Sequence, residues 1–268
     1  MTGGWQRISG IFGLGYVALM LSFIYLPVAV LILFAFQASS APVPPFDGPS
    51  LRWFDNVVHD VRMMDALRNS VYVAGASAFI ATVFGSLAAY GVIRSGGHFA
   101  KMLQGFYLAP LTISYAIIAM GLLMTFLRVG IPKSLTAIII GHAVINLPIS
   151  FAMVYSQFKH EFIVLERAAR DLGAKEWQVL WFVTLPNLVW PVVGAYLLSF
   201  TLSWDEFIIA LLVSRFDVTL PVEIWSQLRA GLSPKANAIG ALVFLVSSAI
   251  VILTAVIFSL GGRRRKQK

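Results

Sequence analysis

The chain has 268 residues, 59% of them hydrophobic and only 12% charged, and its mean hydropathy of +0.83 places it with integral membrane proteins. It contains no cysteine, which excludes disulfides, iron–sulfur clusters, thiolate zinc sites and cysteine nucleophiles. A net charge of +8 raises nucleic-acid binding, but the basic residues are spread over short connections and a GRRRKQK tail, with no basic stripe interleaved with stacking aromatics. The charge therefore reads as orientation and contact with lipid headgroups, and no nucleic-acid partner is expected.

A helix needs roughly 20 apolar residues to cross a bilayer. Six segments qualify in chain order: Ile11 to Phe36, Val71 to Ile93, Leu103 to Leu127, Leu135 to Phe158, Leu188 to Ser214, and Ala238 to Leu260. The expected fold is an all-α integral membrane bundle of six transmembrane helices. Arg7 precedes the first segment and Ala38, Ser39, Ser40 and Ala41 follow it, as in a signal peptide. Its apolar run is about twice the length of a signal core, roughly 7 to 15 residues, so it reads as a retained span. The second segment carries Ser77, Ala81, Gly85 and Ala89 at every fourth position, a stripe of small residues that lets another helix approach closely.

Six spans put both termini on one side. Twelve Lys and Arg fall on that side, among them Arg94, Lys101, Arg167, Arg170 and the terminal cluster, against eight on the other. The bias predicts cytoplasmic termini. The chain then divides into an N-terminal span with an external segment (1–65), a core (66–260) and a basic cytoplasmic tail (261–268).

Asp205 and Glu206, in LSWDEFIIA, are the only Asp, Glu, Lys or Arg within the six segments. A carboxylate at the centre of a membrane helix costs roughly 2.5 to 3.5 kcal/mol on insertion scales, so it faces a cavity or a partner. Asp205 lies about 25 Å along the fifth segment from Leu188, toward the outer half of the membrane, and adjacent side chains on a helix diverge by about 100°. Two readings stand. Asp205 and Glu206, with Trp204 beside them, line a path for a cationic solute, or the acidic pair marks where the helix ends and unwinds.

No catalytic set is visible. HEFIV (His160 to Val164) begins like a zinc-protease helix but lacks the second His, and His59, His98, His142 and His160 are scattered, so no metal site is expected. Gly13 and Gly15 lie within an apolar span with no preceding strand, which makes their likeness to a dinucleotide loop fortuitous. There is no GxxxxGK[ST] loop; ATP, if used, is bound by another subunit. A self-sufficient secondary transporter or channel is the alternative from another class.

Between the fourth and fifth spans stands ERAARDLGAKEWQVLWFVTLP, Glu166 to Pro186. Leu165, Ala169 and Leu172 share one helical face, with Glu166, Arg167, Arg170 and Asp171 on much of the remainder. Gly173 is placed to end that helix, and Trp177, Leu180 and Trp181 form a second apolar face before Pro186. This predicts two short helices joined at a Gly corner, docking on a protein groove in preference to lying on lipid.

The segment resembles the EAA signature of ABC importer permeases, whose pattern is EAA, three residues, Gly, nine residues, Ile-x-Leu-Pro. Ala168, Ala169 and Gly173 match, and nine further residues lead to Val183, Thr184, Leu185 and Pro186; Arg167 stands at the signature Glu, with Glu166 immediately before it. RWF (Arg52 to Phe54), ALRNS (Ala66 to Ser70), LAAYGVIR (Leu87 to Arg94), TLSWDEFIIALLVS and the stretch from Thr219 to Leu242 are similar to the polyamine branch of that family. The resemblance implies the type I permease fold and a coupling loop over 159–187, with Glu166, Arg167, Ala168, Ala169, Asp171, Gly173, Leu185 and Pro186 at the ATPase contact and Glu166 or Asp171 substituting for the signature acid. It implies as partners a second permease, two ATPase subunits that use ATP and Mg, an extracytoplasmic solute-binding protein and membrane lipid, with no cofactor in this chain. The solute implied is putrescine, spermidine or a related organic cation.

Overall fold

The computed structural model describes residues 3–158, 160–231 and 233–265, without the side chains of residues 3–12, 160, 161, 254, 255 and 257–265. Lys159, which opens the expected coupling loop, and the side chains of the expected basic tail lie outside what is described. The elements are α1 (Gly3–Ala35), α2 (Arg52–Val58), α3 (Val61–Ser95), α4 (Gly97–Leu108), α5 (Tyr115–Val129), α6 (Leu135–Tyr155), α7 (His160–Asp171), α8 (Glu176–Val179), α9 (Leu185–Trp204), α10 (Ile208–Val213), α11 (Leu220–Ala230) and α12 (Pro234–Arg265). No strand occurs among the described residues; Gln37 and Pro49 form an isolated bridge.

Among the described residues, five helices are long and apolar enough to cross a membrane, and one bent pair supplies a sixth candidate. That pair corrects the expected third span. In place of one helix over Leu103 to Leu127, α4 runs through a 3-10 turn, Ala109–Thr112, and α5 leaves it at a bend of 103°. Pro110 has no N–H to continue the helical ladder, Thr112 Oγ1 donates to the Ala109 carbonyl at 2.8 Å, and Ile113 turns extended at ψ 137°. The 15 residues of α5 rise only about 22 Å, short of a hydrocarbon core of roughly 30 Å. The fifth span is also divided: α9 ends at Trp204, and Asp205 to Phe207 separate it from α10.

The chain forms two compact units, 1–64 with 224–246, and 65–223 with 247–268. In the first, Trp53 Nε1 donates to the Gln37 carbonyl at 2.8 Å, and the fully buried Gln37 amide donates to Ser39 Oγ at 2.9 Å and the Pro45 carbonyl at 3.1 Å. This holds the segment after α1 without regular structure. Lys235 Nζ donates to Asp60 Oδ2 at 2.5 Å. That bond holds the Asp60 carboxyl below its ordinary range, against a lesser upward push from burial. The pair is therefore intact at neutral pH and lost as the pH falls through the lowered value.

In the second unit the small-residue stripe of α3 packs directly on α6. Ala81 and Ala89 are fully buried, and a Cβ on Gly85 would stand 2.8 Å from the Phe151 backbone nitrogen and from Ser150 Cβ. On the other side of α6, a Cβ on Gly141 would stand 2.6 Å from Ile209 Cγ2, so the short α10 nests against α6 at that glycine. Ile209, Ala210 and Val213 join Val73, Ala119, Phe126 and Ile138 in one buried apolar cluster.

Gly85→Leu is expected to lower the stability of the detergent-purified protein by about 1 to 3 kcal/mol through overpacking. Gly121→Ala, with nothing within 4 Å of the added Cβ, is expected to leave it unchanged. Thermal unfolding of the two variants side by side checks this.

Candidate functional site

The charged interruption folds as two helices at a glycine corner. The Gly173 N–H reaches the Arg170 carbonyl at 2.8 Å and the Ala174 N–H reaches the Ala169 carbonyl at 3.1 Å, the paired bonds that close a helix C-terminus through a left-handed residue. Gly173 has φ +85°, which explains why glycine stands there. The chain then starts α8, where the Gln178 side-chain carbonyl accepts from the Lys175 N–H at 2.7 Å. From Leu180 to Thr184 the helix is π-wound, with the Leu185 N–H bonded to the Leu180 carbonyl five residues back. Pro186 cannot supply the next ordinary helical donor, so the Leu-Pro exit falls where the winding changes.

The orientation of α7 differs from a simple amphipathic helix. Glu166 is buried at 8% exposure, whereas Leu165, Arg167, Ala168, Asp171 and Leu172 are exposed, Leu172 to 89%. Trp177, Trp181 and Phe182 are exposed as well. The acid faces the helix bundle and the apolar residues face away from it.

Glu166 is held by three elements. Arg94 Nη2, in the last turn of α3, donates to Glu166 Oε2 at 2.8 Å. Thr184 Oγ1, at the entry to α9, donates to Glu166 Oε1. Arg170, one turn along α7, lies 3.6 Å from Glu166 Oε2. Arg170 Nε also donates to Glu176 Oε1 at 2.6 Å, and Arg94 Nη1 stands 3.5 Å from Glu176 Oε2. The Arg94 guanidinium lies over the Tyr90 ring at 4.6 Å. Arg170 holds the Glu176 carboxyl below its ordinary range and is itself raised by that acid. Two carboxylates and two guanidiniums thus neutralise one another at the cytoplasmic end expected from the charge bias.

At the far end of α9 the adjacent acids part company. Glu206 accepts from the N–H groups of Ile208 at 3.0 Å, Ile209 at 3.0 Å and Ala210 at 3.3 Å, the unpaired donors that open α10. Its Oε2 lies 3.2 Å from His142 Nε2, with both side chains buried. His142 Nδ1 meets Ser203 Oγ at 2.7 Å, and Ser203 Oγ meets Ser77 Oγ at 2.9 Å. The Glu206–His142 contact is one of distance only, since His142 Nε2 makes no hydrogen bond among the described residues, and Ser77 Oγ also reaches the Ala74 carbonyl at 3.4 Å. Asp205 is exposed, and no side-chain hydrogen bond or ion pair to it occurs among the described residues.

The two acids stand at the break between α9 and α10. Glu206 is enclosed within the bundle, not on a free surface, because it satisfies a helix start. Trp204, expected beside the path, is also buried at 3% and donates from Nε1 to Ser247 Oγ at 3.1 Å. Asp205 alone of the three presents its side chain. Sequence reasoning did not single out Arg94 or His142. The signal for His142 was the demand of a membrane-embedded acid for a partner, which the sequence raised without choosing the residue.

Membrane-length helices interrupted by a charged hairpin with an outward apolar face make a multi-pass membrane protein. Residues 81–266 match the family model described as binding-protein-dependent transport system inner membrane component, and the chain belongs to that family. It is similar to the spermidine/putrescine transport system permease protein PotC of Escherichia coli K12, at 27% identity over 91% of this chain and 92% of that one. With the putrescine transport system permease protein PotI of the same organism it shares 30% identity over 92% and 89%. Among solved structures, a bacterial ABC transporter involved in the import of the acidic polysaccharide alginate superposes with a TM-score of 0.70 at 16% identity, covering 96% of this chain and 98% of that chain. A methionine ABC transporter in inward-facing conformations gives 0.57 over 75% and 98%. The fold is that of an ABC importer permease.

Glu206→Ala is expected to destabilise the purified protein by about 2 to 4 kcal/mol, since it strands buried N–H donors and His142. Asp205→Ala is expected to leave stability within about 0.5 kcal/mol, as for other exposed positions. Chemical or thermal unfolding followed by intrinsic tryptophan fluorescence separates the two; equal losses would contradict the assigned roles.

Proposed function

We propose that this chain is one permease subunit of an ATP-driven importer of polyamines, with putrescine and spermidine as the leading solutes, and that both its termini are cytoplasmic. It works with a second permease, two ATPase subunits that bind ATP and Mg, and an extracytoplasmic solute-binding protein. The chain itself performs no covalent chemistry in this reading.

The observation that carries the cationic solute is Asp205. The 20 residues of α9 rise about 30 Å, the thickness of a hydrocarbon core. At their end an exposed carboxylate stands unpaired among the described residues, on a break fixed by Glu206, His142 and Ser203. An ammonium group leaving water needs a fixed negative partner, and an exposed carboxylate with no partner among the described residues is free to be one. The likeness to PotC and PotI across about nine-tenths of both chains supports the same solute class.

For coupling, the outward face of α7 and α8 supports docking on an ATPase subunit. Leu165, Leu172, Trp177 and Trp181 supply apolar surface, and Arg167, Ala168 and Asp171 lie among them. With Glu166 turned inward, the exposed charge at the signature position is positive. Closure of the ATPase pair displaces this segment, and the displacement switches the spans between inward- and outward-facing states.

Two measurements test the proposal. Asp205→Asn is expected to lower labelled putrescine and spermidine uptake roughly tenfold, the scale of one charge-assisted hydrogen bond, while complex yield stays near wild type; equal loss of yield and uptake would assign Asp205 to the fold instead. Gly173→Val forces a β-branched residue to a φ of +85°. It is expected to leave the chain inserted but abolish stimulation of ATP hydrolysis by solute-loaded binding protein. Normal stimulation in that variant would remove the coupling assignment.

A further inference from the structure

The interruption is anchored to the bundle at a point that the signature does not contain. Arg94 belongs to α3, 72 residues from Glu166, and its fork reaches α7 through Nη2 and α8 through Nη1. Thr184 ties the same Glu166 carboxylate to the entry of α9. Besides this cluster, the entry to α7 touches α3 through Phe158, whose ring centroid lies 6.4 Å from that of Tyr90. That apolar contact has no fixed direction, whereas the Arg94 cluster holds α7 by directed hydrogen bonds and ion pairs.

We propose that Arg94 is the positioning residue that transmits movement of the coupling segment to the second span, with Glu166 as its receiver on α7 and Thr184 as the parallel tie to the fifth. This rests on the coupling role proposed above for α7 and α8. The chemistry suits rigid transmission. Arg94 sits in the last turn of α3, where the helix end favours a cation. Stacking on Tyr90 limits its rotamers, and partial burial, with side chains 32% and 11% exposed, shields the pair from solvent screening. A guanidinium makes two directed contacts at once, whereas an ammonium is a single point charge on a flexible stem. Charge alone is therefore insufficient, and Lys at this position lacks the bridge between α7 and α8.

The absence of native cysteine permits single-cysteine reporters in the complete complex with its ATPase subunits. Leu172→Cys reports on the coupling corner and Leu87→Cys on an exposed position of α3. Thiol-labelling rates are compared between nucleotide-free complex and complex trapped with ATP and vanadate. With Arg94 present, both reporters are expected to change rate on trapping. In Arg94→Gln, the Leu172→Cys response is expected to persist while the Leu87→Cys response shrinks about fivefold or more, the lower range of typical coupling energies. Arg94→Lys, which keeps charge and stem and so guards against a folding defect, is expected to show the same loss. An undiminished Leu87→Cys response in Arg94→Lys, or none even with Arg94 present, overturns this inference. A Leu172→Cys reporter that never responds removes the coupling role itself, so the two failures are distinct.

Discussion

A carboxylate inside a membrane bundle has to be satisfied by protein groups, and the way Glu206 is satisfied determines the second half of the structure. Hydrocarbon offers no hydrogen bonds, so either the acid or the backbone around it must rearrange. Here both do. The helix ends at Trp204, α10 starts at Ile208, and the unpaired N–H groups of the new start converge on the Glu206 carboxylate. The cost of breaking the helix and the cost of burying the acid offset each other. His142 then completes the site from α6, and Gly141, the neighbouring residue, provides the space into which Ile209 fits.

This constraint explains why two adjacent acids have unlike surroundings. The residue that caps α10 has to point into the bundle, and its predecessor at the end of α9 points elsewhere. Asp205 is thereby displayed by a rigid framework of Glu206, His142, Ser203 and Ser77, in which each hydroxyl has a partner. A binding carboxylate benefits from such rigidity, because little ordering entropy remains to be lost when a cation arrives.

Much of the architecture was legible in the sequence because bilayer thickness imposes a length on apolar runs, and five of the six expected segments correspond to membrane-length helices or a helix with a short continuation. The third was not legible as two pieces: a hydropathy window sums over Pro110 and does not register that one missing N–H ends a helix. The Gly173 corner was legible, since a positive φ and a helix stop leave a residue-level mark. The burial of Trp204 was not, because an aromatic beside an acid reads equally as lining or as core. Arg94 was equally hidden. Its charge counted toward orientation, and only the fold brings it to Glu166 across 72 residues.

The departure from the EAA pattern is sharpened by the direction of the side chains. With Arg167 at the signature Glu and Glu166 one position earlier, a shift of one residue along α7 rotates a side chain by about 100°, enough to move a carboxylate from the outer face to the bundle. Glu166 meets Arg94, Arg170 and Thr184 within the chain. The outer face consequently carries Arg167 beside apolar Leu165 and Leu172. In the proposed coupling role, a groove that receives this face has to offer a negative or neutral polar group opposite Arg167, because an uncompensated guanidinium buried at the contact would cost several kcal/mol. The inward acid and the outward base thus follow from two adjacent positions on one helix, one tying the segment to its own spans and the other, in the proposed coupling role, setting the charge its partner must present.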